Sequence, residues 1–327
     1  MSSKTIEVEH LSKVYGSTMA IEDIHFSVNA GEIIGFLGPN GAGKTTTLRI
    51  LAGYLPATTG TAKIAGYDVH RYSMQVRRRI GYLPEIPPLY PNMSVKQYLH
   101  FVAKIKGIKA KDRRHQVCNA MMRCQLIDRE NTIIQKLSKG YRQRVGIAQA
   151  IVHQPPVVIL DEPTVGLDPR QIIEVRNLIK SLAGEHTIML STHILPEAST
   201  ICDRVVIIDR GKVVTTNTPA SLRTQLEVSC GYEVEASGDV KTILPLLPKI
   251  SGIVSASLER NSIANNSNRH VLKITYKSTT EPGKDIARLI VEQGLELHEL
   301  RRTRPSLEDV FLELTTKEFS KIEVDRV

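Results

Sequence analysis

The residues with the clearest chemical potential are Gly38-Pro39-Asn40-Gly41-Ala42-Gly43-Lys44-Thr45, which fit the spacing G-x-x-x-x-G-K-[ST]. Glycines at those positions let a backbone wrap closely around phosphate oxygens with its N–H groups turned inward. A helix beginning at the loop adds its positive end. Lys44 is then placed to neutralise the β- and γ-phosphates of a nucleoside triphosphate, and the Thr45 hydroxyl to reach Mg²⁺. A second group is Asp161-Glu162, which follows the apolar run Val157-Val158-Ile159-Leu160. A carboxylate at the C-terminal edge of a buried parallel strand faces the crevice where such sheets bind ligands. Asp161 suits a Mg²⁺ holder acting through water, and Glu162 suits a general base that polarises the attacking water. Taken alone, an Asp-Glu pair after a strand is ordinarily a solvated loop start; beside a phosphate loop it gains a reaction to serve.

These groups need a strand before the loop and a helix after it. Glu32 to Leu37 is a short apolar run, and Lys44 to Leu55 has a helical pattern. Further strands are expected at Thr5–His10, Ile21–Val28, Ile80–Leu83, Thr187–Leu190 and Val205–Asp209, with helices at Ile172–Ala183 and Glu197–Cys202. The alternation predicts an α/β class with a mainly parallel sheet. Pro87, Pro88 and Pro91 lead into a helical insertion, with helices at Ser94–Lys106 and Arg113–Leu126 rich in Lys and Arg. Ser138 is a natural N-cap for a helix from Lys139 to His153 that stops before Pro155-Pro156. That helix start is an anion site with no phosphate of its own in the chain.

A second unit is expected from about residue 225. Strands at Tyr232–Ala236, Ile253–Leu258, His270–Tyr276 and Leu295–Arg301, with helices at Val240–Leu247 and Pro282–Gln293, give the order βαββαβ of a small ferredoxin-like α+β domain. Asn261–Asn268 reads as a hairpin loop, and Ser306–Leu314 as a closing amphipathic helix.

Together these residues resemble the nucleotide-binding domain of ABC transporters over roughly residues 4 to 220. Leu137-Ser138-Lys139-Gly140-Tyr141 followed by Arg142-Gln143-Arg144 is similar to the family signature LSGGQ-x-R, Gly166-Leu167-Asp168 to the D-loop, and Ser191-Thr192-His193 to the H-loop. The resemblance implies a P-loop NTPase domain at 1–222 with a helical subdomain at about 86–154, and an accessory domain at 225–327. It implies ATP and Mg²⁺ as ligands. Tyr15 would stack on adenine. Gly38, Asn40, Gly41, Gly43, Lys44, Thr45 and Thr46 would hold the phosphates, and Thr45, Asp161 and Glu85 the metal. Lys44, Glu162 and His193 would act in hydrolysis, His193 on the γ-phosphate and the water. Ser138, Gly140 and Asp168 would complete the site of a second ATPase subunit in a two-fold, head-to-tail dimer. Both halves of that composite site occur here, which favours a homodimer, with a heterodimer still open. Packing for Tyr15, a core histidine for His193 and a plain turn for Asp168 are the bland readings.

The family usually has Gln where Glu85 stands, Gly where Lys139 stands and Gln where Tyr141 stands. These variants resemble the ATPases of ABC-2-type exporters, within them the gliding-motility-associated group. The tail Arg304–Phe311 is similar to the C-terminal extension of that exporter group. The implied partner is a separate membrane permease, with the ATPase peripheral on the cytoplasmic membrane face.

Composition agrees. The chain has 327 residues, 41% hydrophobic, with a formal net charge of +9 and no Trp. The charge favours anionic partners, and Arg77-Arg78-Arg79 with the stretch Lys104 to Arg114 are its densest runs, read either as soluble helix faces or as membrane-facing. No nucleic-acid module is recognised, so no nucleic acid is expected. Cys118, Cys124, Cys202 and Cys230 make no C-x-x-C pair, which suits reduced thiols in the cytoplasm. The first residues lack an apolar leader core, and no stretch approaches the ~18 apolar residues of a spanning helix. Two other classes remain: a soluble ABC ATPase acting on ribosomes or DNA, disfavoured by a single cassette and the lack of sustained heptads, and a regulatory module whose C-terminal domain senses a small molecule.

Overall fold

The computed structural model describes residues 4–226, 230–258, 269–276 and 280–303. The chain divides into two compact units, Met1–Pro219 and Ala220–Val327. The expected hairpin loop Asn261–Asn268, closing helix Ser306–Leu314 and tail Arg304–Phe311 lie outside the described residues.

The first unit opens with two long antiparallel strands, β1 (Lys4–Tyr15) and β2 (Thr18–Asn29), followed by β3 (Ile33–Leu37), the phosphate loop and α1 (Lys44–Leu51). β4 (Thr59–Ile64), β5 (Tyr67–Asp68), α2 (Ser73–Arg79) and β6 (Ile80–Leu83) come next. The insertion carries α3 (Val95–Ile105) and α4 (Ala110–Arg123), and then α5 (Lys139–Ile151) returns to the sheet. The unit continues through β7 (Val157–Asp161), α6 (Pro169–Leu182), β8 (Thr187–Thr192), α7 (Leu195–Ile201), β9 (Arg204–Asp209) and β10 (Lys212–Asn217). α8 (Pro219–Leu226) follows, and the division between the units falls within it.

A six-stranded sheet runs β10-β9-β3-β8-β7-β6, parallel except for the edge strand β10. β3, β7 and β8 are buried at every position, as parallel strands covered on both faces must be. A second sheet, β2-β1-β4-β5, is antiparallel and shares one apolar core with the first. α3 begins in a complete capping box, with the Ser94 hydroxyl accepting from the Gln97 N–H and the Gln97 side chain accepting from the Ser94 N–H. α5 lies directly on β6: a Cβ on Gly81 would stand 2.0 Å from the Ala150 carbonyl oxygen, so only glycine admits that approach.

Register fixes what the sheet delivers to its carboxyl edge. Leu37 pairs with Thr192, Asp161 with Ser191, and Leu83 with Leu160. The phosphate loop, Asp161-Glu162, Ser191-Thr192-His193 and the segment reaching Glu85 therefore leave adjacent strands at one edge.

The second unit contains β11 (Cys230–Ser237), β12 (Ile253–Leu258), β13 (Arg269–Tyr276), α9 (Gly283–Glu292) and β14 (Glu296–Thr303). Its sheet order, β12-β13-β11-β14, is antiparallel throughout, in the ferredoxin-like manner. One expectation is corrected. Val240–Leu247 is not an α-helix but two short 3₁₀ turns, Val240–Thr242 and Leu247–Lys249. Pro245 and Pro248 remove N–H donors and clash with the preceding turn. Val240, Ile243 and Leu247 still bury themselves on the core.

Candidate functional site

β3 ends in Leu37, and the chain turns at Gly38, whose N–H reaches the Thr192 carbonyl at 3.4 Å. A Cβ on Gly38 would meet the Ile208 carbonyl oxygen at 2.3 Å, so this turn also requires glycine. α1 starts at Lys44, directly after the left-handed Gly43. The Lys44 side chain is buried, and its Nζ donates to the carbonyl oxygens of Gly38 at 2.7 Å and Pro39 at 3.2 Å. The same Nζ lies 3.4 Å from Glu162 Oε1.

Asp161 and Glu162 are both buried, Asp161 at 1% exposure. Ser191 ties them together: its hydroxyl donates to Asp161 Oδ1 and accepts from the Glu162 N–H at 2.9 Å. Glu162 holds a backbone φ of 49°. A non-glycine residue in the left-handed region costs on the order of 1–3 kcal/mol and persists only where its surroundings enforce it. Glu162 Oε2 is 3.0 Å from His193 Nδ1. One carboxylate thus touches the loop lysine with one oxygen and the half-exposed histidine with the other.

These groups line a cavity of about 280 Å³. Asn40, Gly41, Gly43, Thr45, Thr46 and Glu85 share its walls with Lys44, Glu162 and His193. Val165, which sequence reasoning did not single out, lines it too. Tyr15 does not: it ends β1, exposed, with Lys13 Nζ 5.2 Å from its ring centre. Tyr82, on the strand leading to Glu85, has its phenol pushed up to about 12, first by burial and then by the Asp161 charge.

Ser138 and Gly140 lie elsewhere. They line a separate cavity of about 330 Å³ that shares no residue with the first. Ser138 caps α5, accepting from the Tyr141 N–H at 3.4 Å. Two guanidinium groups approach the Tyr141 ring, Arg129 at 5.4 Å and Arg144 at 5.7 Å from its centre. Asp168 caps α6, accepting from the Gln171 N–H at 2.9 Å. α5 is anchored to the strand before Glu85 by Gln149, which donates to the Tyr82 carbonyl at 2.7 Å.

The basic runs are partly committed to internal contacts. Arg77 donates to the Gly53 carbonyl, Arg79 lies 4.1 Å from the Tyr67 ring centre, and Lys106 donates to the carbonyls of Arg77 and Ile80. Burial lowers the Lys106 ammonium to about 8.

A buried phosphate-loop lysine facing a carboxylate that also holds a histidine is the arrangement of an NTP-hydrolysing site, and the chain's relatives say which kind. The ABC transporter family model matches residues 21–165. The bacitracin transport ATP-binding protein BcrA of Bacillus licheniformis is 34% identical, over 95% of this chain and 97% of that protein.

The chain belongs to the ABC transporter ATP-binding proteins.

A second member, the daunorubicin resistance ATP-binding protein DrrA3 of Streptomyces coeruleorubidus, is 31% identical over 96% of this chain and 97% of its own length. A solved ATP-binding subunit of an ABC transporter aligns at TM-score 0.62 and 32% identity, covering 68% of this chain and 92% of that one. This ABC protein is accordingly an ATPase, the ATP-binding and ATP-hydrolysing subunit of an ABC transporter. Among its described residues no helix is long and apolar enough to cross a membrane.

Proposed function

We propose that this ABC ATPase works as one of two subunits, closing on ATP against its twin to drive a separate membrane permease that exports its substrate. The observation carrying the dimer is the separation of the two cavities. The phosphate loop and Glu162 share one, while the capped start of α5 lines another in the same chain. A helix start offers unpaired N–H groups to an anion, and the anion it fits is the γ-phosphate in the other subunit's loop. Export is supported by the names of BcrA and DrrA3, which concern bacitracin transport and daunorubicin resistance. Within the exporters, the Leu83-Pro84-Glu85 and Ser138-Lys139-Gly140-Tyr141 variants favour the gliding-motility-associated group. The permease holds the ATPase at the inner face of the cell membrane.

In this reading Lys44 releases its carbonyl partners to bind the β- and γ-phosphates. Glu162 polarises the attacking water, held by Lys44 and His193 at its two oxygens, and His193 keeps the γ-phosphate side aligned. Tyr15 meets adenine, and Asp168 the partner subunit. Among the described residues no group of three or more His, Cys, Asp or Glu gathers for a metal. Mg²⁺ needs no such cage, because one or two carboxylates, a hydroxyl and phosphate oxygens satisfy it. Thr45, Glu85 and Asp161 provide hard oxygen donors of that kind, with Thr45 and Glu85 in the cavity wall and Asp161 adjoining Glu162. Bound there, the metal would neutralise charge developing on the phosphate oxygens.

Mixing two inactive variants tests the composite site. Lys44→Ala disables the loop and Ser138→Arg blocks the helix start. In a mixed head-to-tail dimer one site carries both lesions and the other carries neither. Recovery of ATPase on mixing supports the reading; two inactive proteins that stay inactive when a mixed dimer is shown to form overturn it. Co-purification of a multi-span membrane protein checks the permease.

A further inference from the structure

A second carboxylate lies behind the candidate site, and nothing in the reading above uses it. Glu197, in α7, is 3% exposed. Its Oε1 is 3.0 Å from Arg176 Nη2 of α6. Its Oε2 accepts from the Thr164 hydroxyl at 2.7 Å and from the Thr192 hydroxyl at 3.4 Å. The Thr192 oxygen in turn accepts the Ile194 N–H at 3.0 Å.

The partners of this one group form a pattern. Thr164 stands two residues beyond Glu162. Thr192 immediately precedes His193, and Ile194 immediately follows it. Arg176 lies on the helix that begins at Asp168, so both flanks of Gly166-Leu167-Asp168 are tied to the same carboxylate. A buried carboxylate is costly unless every lone pair is answered, and a chain of such bonds holds its members in one arrangement. The Glu162–His193 contact at 3.0 Å and the left-handed φ of Glu162 both need such enforcement. Ser191 supplies one clamp between the ends of β7 and β8, and Glu197 supplies the second.

We propose that Glu197 is a positioning residue for hydrolysis: through Thr164 and Thr192 it fixes the distance and angle between Glu162 and His193. The proposal rests on the assignment of Glu162 as base. It predicts a loss in the chemical step rather than in nucleotide binding, because Glu197 bonds to no residue of the phosphate loop and reaches it only through Thr192, whose carbonyl accepts the Gly38 N–H at 3.4 Å.

The test compares kcat and KM for ATP in Glu197→Ala and Glu197→Gln, each in the wild-type and the Glu162→Gln background, with thermal melting as the control for folding. Misplacing a reacting group by about 1 Å costs on the order of 10²-fold, so kcat of Glu197→Ala should fall by about that factor while KM changes by less than about threefold. Glu197→Gln keeps an acceptor for the threonines and should fall less. In the Glu162→Gln background Glu197→Ala should cause no further loss. A folded Glu197→Ala enzyme with unchanged kcat overturns the proposal, as does an equal loss in both backgrounds. If Glu197→Ala does not fold, Thr164→Val and Thr192→Val decide, each removing one hydroxyl at nearly constant volume: kcat falls with KM held in at least one of them, or the proposal fails. An active Glu162→Gln enzyme removes the base assignment itself. An inactive one beside a normal Glu197→Ala enzyme removes this inference alone.

Discussion

The end of β7 and the start of α5 are each expected to act on a γ-phosphate, the first on its own chain's and the second on the partner's, yet they are built in opposite ways. At the end of β7, Asp161, Glu162, Thr164 and Ser191 are buried, and each polar group has a partner in its own chain. At the start of α5, Ser138 and Lys139 are exposed, and the one capping bond is long at 3.4 Å. The first region is organised before any ligand arrives, as a centre that stabilises developing charge must be. The second has its cap residue and Lys139 at the surface, where a contribution to another molecule would have to be. Removing a group should therefore disturb chemistry at the first and association at the second.

The largest effect is expected at Glu162. Losing a positioned general base costs about 10²–10⁴-fold in rate. Glu162→Gln should retain ATP binding and accumulate as an ATP-loaded dimer, read by size-exclusion chromatography, while kcat drops by that factor. If the loss appears in KM instead, the buried region is a binding site rather than a chemical one, and the comparison breaks. Lys44→Ala should act differently. A hydrogen bond to a charged group is worth about 1.5–3 kcal/mol, so nucleotide affinity should fall roughly 10- to 100-fold, checked by calorimetric titration.

The buried region was also the more legible in sequence. Uninterrupted apolar strands such as Val157–Leu160 announce themselves, and glycine at fixed offsets before Lys44 admits few readings. Ser138 was legible as a cap because capping uses local chemistry. What escaped depends on distance along the chain. Glu197 meets Thr164 from thirty-three residues away, and nothing in its own helix distinguishes it from a surface acid. β4 and β5 carry no apolar run; β4 is a strand because β1 pairs with it from far along the chain, Ile6 with Ile64 and Ser12 with Thr59. In the second unit, helical spacing at Val240–Leu247 outweighed Pro245, and the structure shows that proline decides.

α5 repeats the contrast within one helix. Beyond its far end, His153 is largely buried, with Nε2 donating to the Ile80 carbonyl at 3.1 Å. Burial first, and then the Lys106 charge, lower this imidazole from 6.5 to about 3, although the Ile80 bond works the other way. Between those values the unfolded chain takes up a proton that the folded chain refuses. Stability therefore falls as pH drops through that window, by on the order of 2 kcal/mol at pH 5. His153→Gln, whose amide can still donate to Ile80, should flatten the loss of melting temperature between pH 7 and pH 5. A variant that loses stability as steeply as the parent would show that His153 does not carry this pH dependence.

The smallest effect on stability is expected at the exposed end. Replacing a Ser N-cap by Ala costs typically about 1 kcal/mol, and the 3.4 Å bond at Ser138 puts this cap at the low end. Ser138→Ala should thus barely shift the melting temperature. On the proposed reading its effect on ATPase should be larger than that shift explains, because the hydroxyl would then serve the partner subunit's phosphate. The two measurements pull apart only if the helix start serves another chain. If Ser138→Ala lowers ATPase no more than its stability loss predicts, Ser138 is a cap and nothing else, and any role toward the partner must be given to the backbone N–H groups of the helix start alone.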